Sequence, residues 1–332
     1  MIHINDYPQL PRFQRAAFAE FLRQHLLAFA DDIDGAVLAE NENGDIVGGI
    51  AHQDDVLKYF CVADEQQAEG VGSQLISALI NRLLCTFHSV RAFTSPSCVT
   101  TFEALGFRLL ARTGHYALLE FGPYGLDAFL TQLRTPLPTA AAPLSAVVMN
   151  ANPFTLGHRY LIEQAAANSS HVSVFVVAHD HAHFRFHDRL AMVTAGCRAI
   201  KNVTVCSGDA YMVSGATFPH YFLPATADTT LAGYQGELDA TLFATRIAPA
   251  LGITQRYVGE EPLSPVTAAY NKALQVTLPR YGLHVVEVAR RAQDGSVISA
   301  SRVRHLISAG NSEWEALVPT TTRDYIRHHQ LA

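Results

Sequence analysis

From residue 145 onwards, short apolar runs alternate with segments in which apolar residues recur every three to four positions. The runs predict strands at 145–149, 171–178, 202–206, 254–258 and 284–288, and the segments predict helices at 158–168, 187–200, 236–250, 265–278 and 301–309. This alternation is typical of an α/β fold, with a parallel sheet covered by helices on both faces. Such sheets bind ligands at the carboxyl ends of their strands, so the residues that follow each strand are the first candidates for function.

The first 122 residues follow a different pattern, typical of an α+β unit. After an apolar helix, the strand-like runs GAVLAE and IVGGIAH flank Asn43-Gly44, a strong hairpin signal. A third run, VLKYFCV, leads into a loop and then a helix with one apolar face. Residues 134–144 are rich in Pro and Ala, as linkers are. We therefore predict one domain at 1–133 and a second at 145–332, joined by this linker.

Composition narrows the classes of partner. The chain has 332 residues, a formal net charge of −6 and no basic block, which argues against nucleic acid as the main partner. No apolar run reaches membrane-spanning length and no signal-peptide pattern begins the chain, so we expect no membrane association and a cytoplasmic location. The five cysteines form no CxxC pair, which argues against a disulfide framework or a zinc knuckle.

The loop after the first strand of the second domain, NANPFTLGHRY, combines features of an anion site. Pro153 stops an early helix, and Gly157 lets the backbone approach a ligand closely. His158 falls in the first helical turn, where free N–H groups and the helix dipole favour an anion and disfavour a charged imidazolium. With the hydroxyl of Thr155, the loop predicts a phosphate cradle. The alternative is a histidine that only caps or packs the helix.

A second strand-to-helix junction, ISASRVR at 298–304, has similar chemistry. Ser299 or Ser301 can cap the helix, and Arg304, one turn in, can bind phosphate oxygens through two N–H groups. Alone, this segment reads as an ordinary capped helix with a surface arginine. Phosphate binding is favoured over that interpretation by a resemblance that the two segments carry together, in this order along the chain.

The two segments resemble the [HT]xGH and ISxTxxR signatures of the nucleotidyltransferase superfamily, with Thr155 and Ser301 as variants. Taken in order, MNANPFTLGHRYLIEQAA, FHDRL, SGATFPHYF, RYVGEEP and ISASRVR resemble the citrate (pro-3S)-lyase ligase family over essentially the whole second domain. This resemblance implies a Rossmann-like nucleotidyltransferase domain that follows an N-terminal domain of the family's architecture.

The resemblance also implies a reaction. ATP and acetate form acetyl-adenylate and pyrophosphate, and the acetyl group then passes to a thiol. That thiol belongs to the CoA-like prosthetic group on the acyl carrier subunit of citrate lyase. The thioester form of the lyase is the active one. The implied enzyme is an acid–thiol ligase that forms AMP and diphosphate. Mg²⁺ is expected to be held mainly by phosphates, without a protein metal site.

By carry-over from the family, the expected catalytic residues are His158, Thr155 and Arg304. His158 would stabilise charge as pyrophosphate leaves, and Ser299, Ser301 and Arg304 would hold the β- and γ-phosphates. Gly259, after a strand, is expected near the adenine. The full set expected to bind ATP is Asn150, Asn152, Phe154, Thr155, Gly157, His158, Gly259, Ser299, Ser301 and Arg304.

A histidine-rich loop at 179–187, HDHAHFRFH, has the spacing of a metal tract. A polar loop facing the nucleotide is the interpretation we favour, without a metal. Arg185 or Arg189 could contact phosphate there. Alternatively, Arg189 pairs locally at the start of its helix.

In the first domain, Gln67-x-x-Gly70-x-Gly72 and FEALGF resemble the acetyl-CoA loop and a later segment of GCN5-related N-acetyltransferases (GNAT). The glycines follow a strand and open a helix whose N–H groups could bind a pyrophosphate. We expect a GNAT-like fold, and we hypothesise that Gln67, Gly70 and Gly72 bind the CoA-like arm.

Two other functions fit parts of the sequence. One is an adenylyltransferase for a phosphorylated cofactor such as phosphopantetheine, which would use Thr155, His158 and Arg304 equally well. The other is an acetyltransferase whose second domain senses nucleotide. Acetate-dependent release of pyrophosphate from ATP separates the ligase from both.

Overall fold

The computed structural model describes residues 1–133, 143–178, 183–212, 228–293 and 296–331. They form two compact units: the first contains Met1–Phe129, and the second contains the described residues from Leu130 onwards. Most of the predicted linker at 134–144 lies outside the described residues, as does the whole SGATFPHYF motif at 214–222. The domain boundaries therefore stay predictions.

The first unit is a seven-stranded sheet with helices packed on it. Its strands are β1 (His3–Tyr7), β2 (Gly35–Glu40), β3 (Ile46–Gln53), β4 (Val56–Val62), β5 (Val90–Thr94), β6 (Arg108–Arg112) and β7 (Ala117–Phe121). Its helices are α1 (Arg12–Gln24), α2 (Val71–Leu83), α3 (Val99–Ala104) and α4 (Leu126–Leu133), the last of which contains the boundary between the units. The strand order is β1-β2-β3-β4-β5-β7-β6.

One strand pair in this sheet is parallel, β4 with β5, and it pairs only at Val56–Arg91 and Leu57–Ala92. Beyond these residues the two strands diverge. A cavity of about 140 Å³ opens between them, lined in part by Phe60, Phe93 and Cys98. The other strand pairs are antiparallel.

The second unit has the predicted alternation of strands and helices. Its strands are β8 (Leu144–Met149), β9 (His171–Val176), β10 (Val203–Ser207), β11 (Gln255–Gly259), β12 (His284–Val288), β13 (Ala292–Gln293) and β14 (Ser296–Val297). Its helices are α5 (Leu156–Ala167), α6 (Phe186–Cys197), α7 (Asp228–Leu242), α8 (Ala248–Leu251), α9 (Pro265–Thr277), α10 (Ala300–Ser308) and α11 (Thr320–His328). The helix predicted at 236–250 begins earlier, at Asp228, and is interrupted by a π-helical turn, Phe243–Ile247.

The main sheet of this unit has the order β10-β9-β8-β11-β12, and its strands are parallel. The strand order reverses at β8, because β9 pairs on one side of it and β11 on the other. A crevice therefore forms where the carboxyl ends of β8 and β11 meet, which is the usual ligand site of such sheets. The confirmed fold class is thus α/β, with a GNAT-like unit before a Rossmann-like one.

A continuous apolar core holds the helices of the second unit against one another and the sheet. Val147 and Val174 of the sheet, Ile162 of α5, Val303 of α10 and Trp314 belong to this cluster, and each is at most 5% exposed. Because the core includes α5 and α10, it fixes the positions of the two helix N-termini that the sequence singled out. Within the described part of the chain, the helices lack the length and apolar character needed to cross a bilayer.

Candidate active site

A cavity of about 450 Å³ opens at the carboxyl edge of β8, β11 and β12. The β8–α5 loop, the start of α5, the end of β11, the helices α7 and α9, and the residues between β12 and α10 contribute its walls. Six of the residues predicted to bind ATP line it: Asn150, Thr155, Gly157, His158, Gly259 and Ser299.

Thr155 and His158 form a reciprocal cap at the start of α5. The Thr155 hydroxyl accepts a hydrogen bond from the His158 backbone N–H at 3.3 Å, and the Thr155 backbone N–H donates to Nδ1 of His158 at 3.1 Å. Since Nδ1 accepts, a neutral imidazole carries its proton on Nε2. That N–H is available to a ligand in the cavity.

The imidazole of His158 is neutral, as the sequence predicts, but for different reasons. Burial, and then the positive charge of Arg290, lower the pKa of His158 to about 4. The sequence argument relied on the dipole of α5 alone. In the structure, desolvation is the first cause and the charge of a residue on another element is the second.

The second signature segment meets the first at this cavity. Ser299 caps α10, where its hydroxyl accepts from the Arg302 backbone N–H at 3.2 Å. A Cβ atom at position 157 would lie 3.2 Å from the carbonyl oxygen of Ile298, so glycine there permits the close approach of the two segments. The N-termini of α5 and α10 therefore face one space.

Arg304 links the same two segments from beside the cavity lining. Its Nη1 donates to the Asn152 carbonyl oxygen at 2.5 Å, and its Nη2 donates to the Ser301 hydroxyl at 3.0 Å. Burial lowers the pKa of Arg304. Neither Arg304 nor Ser301 lines the cavity itself, so their predicted contact with phosphate requires a ligand that extends past Ser299.

The structure places Phe154 and Asn152, both expected to bind ATP, outside the cavity lining. Phe154 is fully buried and stacks on the His158 ring with centroids 6.0 Å apart, so it supports the histidine from the core. Asn152 is 9% exposed, and its side-chain oxygen accepts from the Phe184 backbone N–H at 3.0 Å. Both side chains are engaged within the protein and absent from the cavity lining.

Arg189 has partners both at the start of its helix and in the β8–α5 loop. Its side chain is fully buried and donates to the carbonyl oxygens of Asn150, Val177 and Phe184. It also donates to the Asn150 side-chain oxygen at 2.8 Å, which orients that amide at the cavity wall. A buried guanidinium with these partners shapes the β8–α5 loop.

The histidine-rich loop is only partly described, because 179–182 lie outside the described residues. Arg185 is exposed at the N-cap of α6. In the part of the chain that the structure describes, no group of three or more His, Cys, Asp or Glu side chains is arranged to hold a metal ion.

A buried polar network behind the cavity escaped the sequence analysis. Arg256 of β11 and Asp239 of α7 lie 2.9 Å apart, exposed by 2% and 1%. The Tyr270 hydroxyl of α9 donates to Asp239 at 2.6 Å, and burial followed by the Asp239 charge raises the pKa of Tyr270. Arg256 and Tyr270 reach the cavity wall. The pairing joins three elements, so no local pattern indicates it.

Two further charged residues were also missed, Arg290 and Glu261. Both line the cavity and they form an ion pair. Each follows a predicted strand by two or three residues, 284–288 and 254–258 respectively. Position at the carboxyl end of a strand was therefore the signal that could have found them.

The glycines predicted to bind a CoA-like arm lie at the start of α2 in the first unit. Gly70 is left-handed, with φ of 75°, and no side chain caps the helix. The first N–H groups of α2 thus have no partner within the helix. A Cβ at Gly72 would lie 3.0 Å from Cζ of Phe60, which shows how closely α2 approaches β4.

The Gln67 side chain is exposed and forms hydrogen bonds within its own loop. Its side-chain amide donates to Asp64 at 2.8 Å and to the Val62 carbonyl oxygen at 3.3 Å. These bonds close the turn after β4, and the role of Gln67 in binding a CoA-like arm stays a prediction.

Comparison with known proteins bears on the whole chain. The citrate lyase ligase C-terminal domain matches residues 144–326, and an acetyltransferase (GNAT) domain matches residues 9–127. A [citrate [pro-3S]-lyase] ligase of Klebsiella pneumoniae is 38% identical over 94% of this chain and 92% of its own length. Its counterpart in Haemophilus influenzae is 34% identical, over 92% and 93%.

A third relative of that name, from Escherichia coli K12, is 33% identical over 94% of this chain and 90% of its own. A GNAT-family acetyltransferase structure from Staphylococcus aureus Mu50 covers 36% of this chain and 98% of its own at 17% identity, with a TM-score of 0.31. The family matches extend over both units, and the resemblance found in the sequence is confirmed. This chain belongs to the citrate lyase ligase family.

Proposed function

We propose that this chain activates acetate with ATP as acetyl-adenylate and transfers the acetyl group to the thiol of the CoA-like prosthetic group on the acyl carrier subunit of citrate lyase. Membership of the family makes the chain an acid–thiol ligase. The observation that carries the finer proposal is the convergence of His158 and Ser299, at two helix N-termini, on one cavity.

The cavity suits a nucleotide triphosphate. Two helix N-termini present free N–H groups and positive dipole ends to the same space, which favours phosphate. We assign the phosphates to Thr155, Gly157, His158 and Ser299, with Ser301 and Arg304 beyond them. Gly259 is assigned to the adenine side, since its position is open: nothing lies within 4 Å of a Cβ built there.

Mg²⁺ would be held mainly by the phosphates. Glu261 is the one acidic side chain among the described lining residues, and both of its oxygens are engaged within the protein. A bound Mg²⁺ would neutralise charge on the phosphate oxygens. The described residues that line the cavity offer that ion no set of carboxylates.

The chemistry matches what these residues can do. Acetate is ionised at neutral pH, so its oxygen attacks the α-phosphorus without a general base, and the bond to the pyrophosphate oxygen breaks. This step requires in-line positioning and stabilisation of charge. The Nε2–H of neutral His158 donates to the phosphate oxygens on which charge grows. In the second step the carrier thiol attacks the acetyl carbon, and AMP leaves.

The first unit gives a reason to expect a CoA-like acceptor. The start of α2, with Gly70 and Gly72, and the divergence of β4 from β5 together form a place for a pantetheine arm and its pyrophosphate. We therefore assign this unit to presentation of the prosthetic group. A cytoplasmic location is part of the same proposal.

Acetate-dependent exchange of pyrophosphate into ATP tests the proposal. The full-length protein is incubated with ATP, Mg²⁺, pyrophosphate and acetate to measure exchange. In a separate incubation without pyrophosphate, hydroxylamine traps acetyl-adenylate as the hydroxamate. His158→Ala is expected to lower exchange by roughly 100- to 1,000-fold, the cost of losing one preorganised donor. His305→Ala, on α10 but outside the cavity lining, is the matched control. Exchange that depends on phosphopantetheine instead of acetate would identify an adenylyltransferase.

A further inference from the structure

Arg290 is held at the cavity by two acceptors. It lies just beyond β12, and its Nε donates to the Glu260 carbonyl oxygen at 2.6 Å. Its Nη2 donates to the Glu261 carboxylate. The side chain is 25% exposed and lines the same cavity as His158 and Ser299. The guanidinium is therefore fixed in orientation without being enclosed.

Glu261 is itself fixed by the backbone of the next loop. One of its oxygens accepts from the N–H groups of Leu263 and Ser264, at 3.0 and 3.1 Å, and the other accepts from Arg290. Its side chain is 7% exposed. This carboxylate joins the turn before α9 to the residues after β12, so Arg290 has one defined direction.

Arg290 keeps donors for a ligand. A guanidinium has five N–H donors, and the two acceptors named above use two of them. The remaining donors have no acceptor among the described residues. Arg290 also acts electrostatically on the His158 imidazole, so the two groups share one poorly solvated region.

We propose that Arg290 binds the polyphosphate of the nucleotide and the departing pyrophosphate, and that Glu261 is the positioning residue that aims it. The assignment rests on the proposed function for its nucleotide. As the bond between the α-phosphorus and the bridging oxygen breaks, negative charge grows on the pyrophosphate. A guanidinium already fixed in place stabilises that charge without reorganising, and its fork can contact two oxygens.

Binding of inorganic pyrophosphate to the full-length protein, measured by calorimetry, is the direct test. Arg290→Met is expected to weaken binding about 10- to 100-fold, the equivalent of one charge-assisted hydrogen-bonding group. Arg290→Lys should recover part of this, because an ammonium has the charge without the planar fork. Arg280→Met, an exposed arginine outside the cavity lining, should bind as the wild type does.

Glu261→Gln tests the positioning role through ATP–pyrophosphate exchange. We expect kcat to fall about tenfold while the KM for ATP changes by less than about threefold. The positive charge of Arg290 remains in the cavity, but its guanidinium is no longer held in one orientation. In the Arg290→Met background, Glu261→Gln should cause no further loss, since the two residues act as a unit.

Several outcomes would overturn this assignment. If Arg290→Met bound pyrophosphate as the wild type does, Arg290 would not be a phosphate ligand. Full recovery of binding in Arg290→Lys would remove the planar fork from the assignment. Additive effects of Glu261→Gln and Arg290→Met would remove the positioning role. A wild-type protein that binds pyrophosphate but shows no acetate-dependent exchange would contradict the proposed function and leave Arg290 in place.

Discussion

At the scale of single residues, His158 shows how surroundings select a chemical state. The Thr155 backbone N–H occupies Nδ1, burial removes water, and Arg290 adds a positive charge nearby. Each effect favours the uncharged ring with its proton on Nε2. A neutral donor suits a site in which charge develops on phosphate, because it keeps its proton throughout the reaction.

This state predicts a pH dependence for His158. Its pKa of about 4 in the folded protein is below the ordinary value of 6.5. Between these values the unfolded chain binds a proton that the folded protein does not. The stability that depends on neutral His158 is therefore complete above about pH 6.5 and is lost as the pH falls towards 4.

Nuclear magnetic resonance of protein labelled at histidine would check this prediction, with His158→Gln used to assign the signal. The His158 resonance should report the Nε2–H tautomer and stay unchanged from pH 8 to about pH 5. In His158→Gln, the decline of stability between pH 6.5 and 4 should be shallower. Titration of this imidazole near pH 6.5 would contradict the assignment.

At the scale of elements, close packing between helices and loops holds the site in place. Gly157 allows α5 to begin beside Ile298, and Gly196 allows α6 to lie against the Phe154 ring. Phe154 in turn stacks on His158. The approach of α6 thus determines where the imidazole sits, through one aromatic ring.

Two helical glycines should respond in opposite ways to alanine. A Cβ at Gly196 would lie 2.4 Å from Cε1 of buried Phe154, so Gly196→Ala should destabilise the protein by about 1–3 kcal/mol through overpacking. Nothing lies within 4 Å of a Cβ at Gly233 in α7, so Gly233→Ala should stabilise it by about 0.5–1 kcal/mol. The midpoint of urea unfolding distinguishes them. Equal midpoints for the two variants would show that Phe154 yields freely.

At the scale of the whole molecule, two units supply the two halves of the proposed reaction. The second unit contains the cavity to which we assign the nucleotide, and the first contains the start of α2 and the opening between β4 and β5. Changes at the start of α2 should therefore affect transfer to the carrier without affecting formation of the adenylate.

Replacement of both Gly70 and Gly72 by valine tests this division of labour. We expect the KM for the acyl carrier subunit to rise by about tenfold or more, because the side chains cover the free N–H groups of α2. Acetate-dependent pyrophosphate exchange should stay within about twofold of the wild type. Gly44→Val, at a turn with φ of 83° and nothing within 4 Å, introduces similar backbone strain elsewhere. An unchanged KM for the carrier would remove the first unit from acceptor binding.

The sequence alone determined much of the second unit. Alternating apolar runs predicted its five main strands, and Ser299 or Ser301 was expected to cap the helix that the structure begins after Ser299. These signals are local, since periodicity and capping depend on residues a few positions apart. Residues that follow each strand were candidates for the same reason, and this rule would also have included Glu261 and Arg290.

Only the tertiary structure decided what several of these side chains do. Phe154 lies in the signature loop, and Arg189 donates a hydrogen bond to that loop; both side chains are buried and hold the loop in place. Arg256 is paired with Asp239 of another element. The pKa of His158 is lowered by burial and then by the charge of Arg290, which lies beyond a different strand. Burial and long-range charge pairing arise when distant segments pack together. The sequence shows which polar and charged side chains are present. Packing of the folded chain determines which of them contact solvent, a ligand or one another.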